Sequence, residues 1–130
     1  IEHIPDPRQL LTKVHALLKP EGILFLVTPD GGSFMARVLG KYWFHLKPQE
    51  HLYYFNRAHL RRLFRETGFT PYSFQHLGRY RSLHTLAEKS ASLFGPLSRL
   101  VLRVFRLLRL DALVIPFNLF DEYAVLARKH

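Results

Sequence analysis

Leu18-Lys19-Pro20-Glu21-Gly22-Ile23-Leu24-Phe25-Leu26-Val27-Thr28-Pro29-Asp30 sets a turn in front of one apolar strand and stops the strand at a proline. Ile23 to Val27 has no polar residue among its apolar ones, the pattern of a strand covered on both faces of a parallel sheet. In open α/β sheets ligands bind beyond the carboxyl ends of the strands, which places Thr28, Pro29 and Asp30 toward a site. Pro20 suits the second position of a type I turn and Gly22 the fourth, whereas type II would ask for glycine where Glu21 stands. The sequence therefore predicts type I.

Upstream, Asp6-Pro7-Arg8-Gln9 reads as a helix start, with Asp6 as N-cap, Pro7 at the first helical position and Gln9 completing a capping-box-like pair. The helix runs to about Leu18, and Leu10, Leu11, Val14, Leu17 and Leu18 form one apolar face against the strand. Helix, turn and buried strand make the second half of a β-α-β unit. Its first strand would lead into Ile1-Glu2-His3, and a parallel strand needs a neighbour to satisfy its backbone. The expectation is a chain that begins within a domain or borrows a partner, with Leu24 or Leu26 facing that partner or left exposed.

Downstream, Gly31-Gly32-Ser33 leads to a short helix from about Phe34 to Leu39, and then to an irregular aromatic cover, Gly40 to Pro48. Such a cover is either a wall of a ligand pocket or a local plug of core. Asn56 caps the next helix, Phe55 staples to Leu60, and Leu60, Leu63 and Phe64 form its buried stripe. Gly68 closes it in a left-handed cap with Phe69 folding back on Phe64, while Arg57, Arg61, Arg62 and Arg65 spread over the solvent side. Thr70 to Gly78 alternates as a strand near a sheet edge does, with His76 in a structural role. Ser82 to Phe94 reads as a helix with Leu83, Leu86, Ala87, Leu93 and Phe94 inward, broken at Gly95-Pro96. A second helix runs from Leu97 to about Leu110. Its arginines at 99, 103, 106 and 109 occupy one arc of about 120°, and the rest is almost all Leu, Val and Phe. Such a helix either lies on an anionic membrane, or covers a lipid-like substrate, or is buried in a tertiary or dimer interface. Asn118 to Lys129 closes the chain as a strand centred on Tyr123 to Ala127.

The 130 residues are one domain's length, and 48% apolar with 14% aromatic content is enough to bury a core. Nineteen Lys and Arg against ten Asp and Glu give +9, which either favours anionic partners or is a solvated surface. The absence of cysteine excludes a disulfide framework and a thiolate metal site, and permits a reducing cytoplasm. No apolar run approaches the roughly 20 residues that span a bilayer, and the first residues lack the basic start and apolar core of a signal peptide. The expected location is cytoplasmic, with membrane association as one alternative that the basic helix leaves open.

The order of pieces is more specific than any one of them. Glu2-His3-Ile4-Pro5-Asp6-Pro7, Leu17-Leu18-Lys19-Pro20-Glu21-Gly22, a strand ending Thr28-Pro29-Asp30, His51-Leu52-Tyr53-Tyr54-Phe55 and a helix ending Glu66-Thr67-Gly68-Phe69 together resemble the C-terminal half of class I S-adenosylmethionine-dependent methyltransferases. The likeness is to the branch acting on small molecules, quinones, lipids or glycans. It implies an α/β fold, the C-terminal half of a seven-stranded Rossmann-like sheet. Ile23 to Val27 would be strand five, Thr70 to Gly78 strand six, and Leu119 to Arg128 strand seven, inserted antiparallel between the other two. Residues 1–78 and 118–130 then belong to one methyltransferase domain, whose N-terminal half is a partner, and 79–117 is a helical insertion or lid.

S-adenosylmethionine is the cofactor that the resemblance implies for the intact protein. The family's glycine-rich loop and its ribose-binding acidic residue are not matched, and no Gly-x-Gly-x-x-Gly occurs, so no cofactor-binding residue is assigned here. Glu21 stands where the family often has glycine and Asp30 where it often has asparagine. Glu2 and His3 match the family's Glu-His after its fourth strand. In similar quinone O-methyltransferases that pair helps hold a divalent cation or the acceptor oxygen, and His3 is also suited to act as general base; the alternative is that the pair orients the loop before Asp6. His51 matches a histidine leading into the segment beside the acceptor, or packs the cover. Asp30, Trp43, His51, Tyr54, Arg79 and Tyr80 complete the acceptor-binding set, with Arg79 and Tyr80 placed to meet an anionic acceptor. The activity implied is methyl transfer to oxygen, or else nitrogen or carbon, of a small or lipid-linked acceptor. The rival reading is a non-enzymatic basic module that binds membrane or nucleic acid through the 97–110 helix; for the methyltransferase reading nucleic acid is not an expected partner, and a homodimer fits either reading.

Overall fold

Asp6 opens α1 (Pro7–Leu17) by accepting the Gln9 N–H through Oδ1 at 2.9 Å, in a computed structural model that describes residues 1–89, 95–110 and 112–130. The reciprocal half of a capping box is not made, because the Gln9 side-chain carbonyl accepts from Lys13 Nζ instead. Leu11 is buried and Val14 and Leu18 pack beside it, but Leu17 is 86% exposed, so the apolar face is narrower than its spacing predicts.

The turn after α1 is type II, not type I. Gly22 N–H donates to Lys19 O at 2.9 Å, and Glu21 stands at φ 62°, the left-handed conformation that type II requires at its third residue. A Cβ on Gly22 would lie 2.8 Å from Lys19 O. Glycine is therefore needed for close approach at the fourth position, and a glutamate takes the strained one.

The chain divides into two compact units, Ile1–Leu77 with Leu119–His130, and Gly78–Asn118. In the first, β1 (Ile23–Pro29) pairs antiparallel with β5 (Glu122–Lys129), Ile23 opposite Arg128 and Pro29 opposite Glu122. β2 (Phe69–His76) pairs antiparallel along the other side of β5, with an irregularity between Pro71 and Ser73. The order is β1-β5-β2, so the closing strand lies between the other two and antiparallel to both, as the sequence reading placed it. It starts at Glu122 rather than Asn118.

α2 (Phe34–Leu39) is capped by Ser33 Oγ, which accepts the Ala36 N–H at 3.0 Å, and a 3₁₀ turn follows at Gly40–Tyr42. α3 (Arg57–Glu66) starts at Asn56, whose Oδ1 accepts the His59 N–H at 2.9 Å. Gly68 closes it at φ 81°, and the Phe69 ring meets Phe64 edge-on with centroids 6.3 Å apart. Arg57 and Arg61 are not simply solvated: their guanidinium groups lie over the Phe74 ring of β2, 5.0 and 5.5 Å from its centroid.

Leu11 of α1, Phe55, Leu60 and Phe64 of α3, and Phe69, Tyr123, Val125 and Ala127 of the sheet make one buried cluster, joined by Leu24, Leu26 and Phe74. Both helices thus cover the same sheet face. Two-sided burial of β1 is not observed: Leu24 and Leu26 turn into the core, while Ile23 and Phe25 are 53% and 60% exposed.

The second unit holds two elements that its sequence does not announce, β3 (Arg79–Ser82) and β4 (Val114–Phe117), paired antiparallel with Arg79 opposite Phe117. β2 accordingly stops at His76 instead of Gly78. α4 (Leu83–Lys89) packs with α5 (Pro96–Leu107); the predicted continuation of α4, with Leu93 and Phe94 inward, lies outside the described residues. α5 ends three residues before Leu110, closed by Arg109 at φ 55° and by Leu110 N–H donating to Phe105 O at 2.8 Å.

Candidate functional site

Thr28, the last polar residue of β1, donates its hydroxyl to Glu2 Oε2 at 3.0 Å, which fixes Glu2 at the carboxyl end of the strand. The backbone of the aromatic segment is tied to the same residue, since Leu52 and Tyr53 N–H both donate to Glu2 O, at 2.8 and 3.3 Å. Tyr53 OH donates to Pro5 O at 2.8 Å and anchors the far side of the loop. Burial raises the Glu2 carboxyl pKa, while the hydrogen bond at its own backbone and the Thr28 hydroxyl lower it.

His3 Nδ1–H donates to the Glu50 carbonyl at 2.7 Å. A carbonyl only accepts, so the proton of a neutral imidazole sits on Nδ1 and Nε2 carries the lone pair. Nε2 lies 3.7 Å from Glu2 Oε1, and the His3 side chain is 52% exposed. The His51 ring stands edge-on to His3 with centroids 4.7 Å apart. His51 is only 8% exposed, and its buried Nδ1 has no hydrogen-bond partner among the described residues. One ligand-type atom from each of Glu2, His3 and His51 lies within 4.8 Å of the other two.

The donor set of two imidazoles and a carboxylate suits a divalent transition cation. Two observations fit one. The carbonyl behind His3 Nδ1 is the outer partner that metal-bound histidines use, and His51 Nδ1 is a buried nitrogen without a partner, which is rare without a reason.

The aromatic cover continues from this group. Tyr54 tilts against His51 at 5.9 Å and Trp43 against Tyr54 at 6.0 Å, and Tyr54 OH accepts the Lys47 N–H at 3.0 Å. Trp43 is buried and donates Nε1–H to Asp121 Oδ2 at 2.9 Å. Asp30 is also buried: Oδ1 accepts the Gly32 N–H at 2.8 Å, and the carboxylate accepts from the Tyr123 hydroxyl. Its carboxylate serves the turn after β1 and is turned away from solvent. The structure therefore brings Glu2, His3, His51, Tyr54 and Trp43 together. Arg79 and Tyr80 lie on β3 of the second unit, Tyr80 largely exposed.

Sequence reasoning missed Thr28 as the partner of Glu2 and Asp121 as the acceptor for Trp43. A hydroxyl at the carboxyl end of a buried strand was the available signal for the first; nothing local marks the second.

The sequence profile of the family described as "Methyltransferase domain" matches residues 1–74, more than half of the chain. The chain belongs to this family, the class I S-adenosylmethionine-dependent methyltransferases, whose cofactor in general is S-adenosylmethionine. Among solved structures it is similar to a candidate methyltransferase from Bacillus halodurans, with a TM-score of 0.55 and 16% identity over 98% of this chain. At that identity the likeness is one of fold. The chain spans 60% of the length of that relative. No curated protein matches it.

Proposed function

We propose that this chain forms the acceptor side of a methyltransferase whose intact form transfers a methyl group to an oxygen of a small-molecule, quinone, lipid or glycan acceptor. In this reading β1, β2 and β5 are strands five, six and seven of a Rossmann-like sheet, supported by the order β1-β5-β2 with β5 antiparallel to both neighbours. The observation that carries the function is His3, a half-exposed side chain whose proton is held on Nδ1 by the Glu50 carbonyl while Nε2 carries the lone pair beside the Glu2 carboxylate.

Bound S-adenosylmethionine supplies an electrophilic methyl group. With that group bound in the intact protein, His3 Nε2 would accept the proton of the acceptor's hydroxyl as its oxygen is methylated. Glu2 stabilises the imidazolium that results, and the hydrogen bonds at its backbone and from Thr28 favour its charged form. Tyr54, partly exposed and backed by the buried Trp43 and His51, offers a wall that would orient a flat or lipid-like acceptor. His51 Nδ1 supports a second role for the group, in which Glu2, His3 and His51 hold a divalent cation that supplies Lewis acidity. One lone pair on His3 serves a proton or a cation, so the two roles are alternatives.

In the intact enzyme, His3→Ala is expected to lower turnover by about 10² to 10⁴ while cofactor binding is kept. Unchanged turnover would leave His3 an orienting residue of the loop, and equal loss of cofactor binding would move it to the cofactor site. A chelator distinguishes the two roles: activity untouched by it belongs to the general base, and activity lost to it and restored by a divalent cation belongs to the metal group.

A further inference from the structure

We propose that α5 docks the protein on an anionic membrane surface, an inference that rests on none of the methyl-transfer chemistry. At 3.6 residues per turn, Leu100, Val104, Leu107 and Leu108 share an arc of about 100°. All four are at least 42% exposed, and Leu107 reaches 83%. Val101, Leu102 and Phe105, on the adjoining arc, are partly covered. Arg103 and Arg106 are exposed along the opposite flank of the bare stripe, and the helix contains no Asp or Glu. Residues 78–118 as a whole carry seven Lys and Arg against two Asp and Glu.

Arg109 is a separate observation. It closes α5 in the left-handed conformation, φ 55°, at the position glycine fills without strain. An exposed guanidinium is held there at a conformational cost, which adds a positive charge at the end of the helix. Leu113 and Val114 of the same unit are also exposed.

An apolar stripe beside arginines matches a surface that is itself apolar and anionic in adjacent layers. Leucines enter the acyl boundary while guanidinium groups reach the phosphates above it. Nucleic acid would engage the arginines and leave the leucines in water. A second copy docked through the same face would bring like charges together around the two-fold axis. Among the described residues no helix is long and apolar enough to cross a membrane, so α5 lies in the interface plane.

The test is flotation of the intact protein with phosphatidylcholine vesicles, with and without phosphatidylserine. Expected is binding that needs phosphatidylserine and falls with salt. Val104→Ser with Leu107→Ser should lower the bound fraction by about tenfold or more. Arg103→Gln with Arg106→Gln should lower it about fivefold per arginine and flatten the salt dependence. All four side chains are exposed, so circular dichroism should be unchanged. Binding indifferent to phosphatidylserine, or untouched by the apolar pair, overturns the proposal. So does conversion of an oligomer to monomers by the apolar pair with flotation unchanged, which would make the stripe a protein interface.

Discussion

Glu21 occupies the left-handed region at φ 62°, where a side chain costs about 1–2 kcal/mol that glycine avoids. Glu21→Gly should therefore raise stability by about 0.5–1 kcal/mol, after the larger unfolded-state entropy of glycine is subtracted and the exposed ion pair to Arg128 is neglected. Gly22→Ala should lower it, because the added methyl would meet the Lys19 carbonyl at 2.8 Å. Urea unfolding of the two variants checks both signs; a destabilised Glu21→Gly would mean that the turn is not type II in solution. That a turn occurs here is legible from Pro20 and Gly22 alone. Its type is not, because it turns on the flip of the Pro20–Glu21 peptide that puts Glu21 at positive φ, a conformation glutamate does not announce. A second residue-scale expectation concerns Tyr123, whose hydroxyl is raised above its ordinary pKa by burial and then by the hydrogen bond to Asp30 and its negative charge. A raised folded-state pKa adds stability that is complete below the unfolded value, near 10, and is lost as pH rises through the folded one. Asp30→Asn removes the charge, so tyrosinate absorbance should show Tyr123 ionising at lower pH than in the wild type. An unmoved titration would show that burial alone sets it.

At the scale of elements, Asp6, Ser33, Asn56 and Gly68 each end a helix where the sequence places the boundary, because capping is a local event between a side chain or a glycine and an amide two or three residues away. β3 and β4 were not legible. Four residues are too few for a period-two pattern, and each strand exists only through its pairing with the other. The group Glu2, His3 and His51 was half legible: each residue was singled out, but not their convergence, which is made by the Leu52 and Tyr53 amides closing on the Glu2 carbonyl. The packing of α1 on the end of α3 offers a test of such non-local closeness. A Cβ on Gly68 would lie 2.6 Å from His15 Nε2, and φ there is 81°. Gly68→Ala should destabilise by about 1–2 kcal/mol from the backbone alone, and more from the contact. In a cycle with His15→Ala the two effects should couple, since removing the ring relieves the clash and leaves only the backbone term. Strict additivity would mean that the helix end does not approach His15 this closely.

For the whole molecule the decisive feature is that both covering helices lie on one side of the three-stranded sheet. Leu24 and Leu26 join their core, and Ile23 and Phe25, apolar and more than half exposed, project from the other face. A run of apolar residues without alternation suggests two covered faces but cannot say which cover is supplied, since the covering groups are distant in the chain. β1 is also an edge strand, hydrogen-bonded to β5 and to no other strand among the described residues. Such an edge is blunted in most proteins by a charge, a bulge or a proline; here the proline comes at the strand's last residue, and Ile23 to Val27 is apolar with no bulge in its pairing. Exposed apolar surface on a free edge favours pairing with another chain. These 130 residues alone should accordingly self-associate, and Phe25→Asp should lower the association without unfolding the chain, because its side chain is outside the core. Leu24→Asp should unfold it, because that side chain is inside. Light scattering over a range of concentrations, with circular dichroism as the control for folding, separates the two variants. A monomer at every concentration, with slowly exchanging amides from Ile23 to Val27, would show that the strand is covered from within and that the edge is not free.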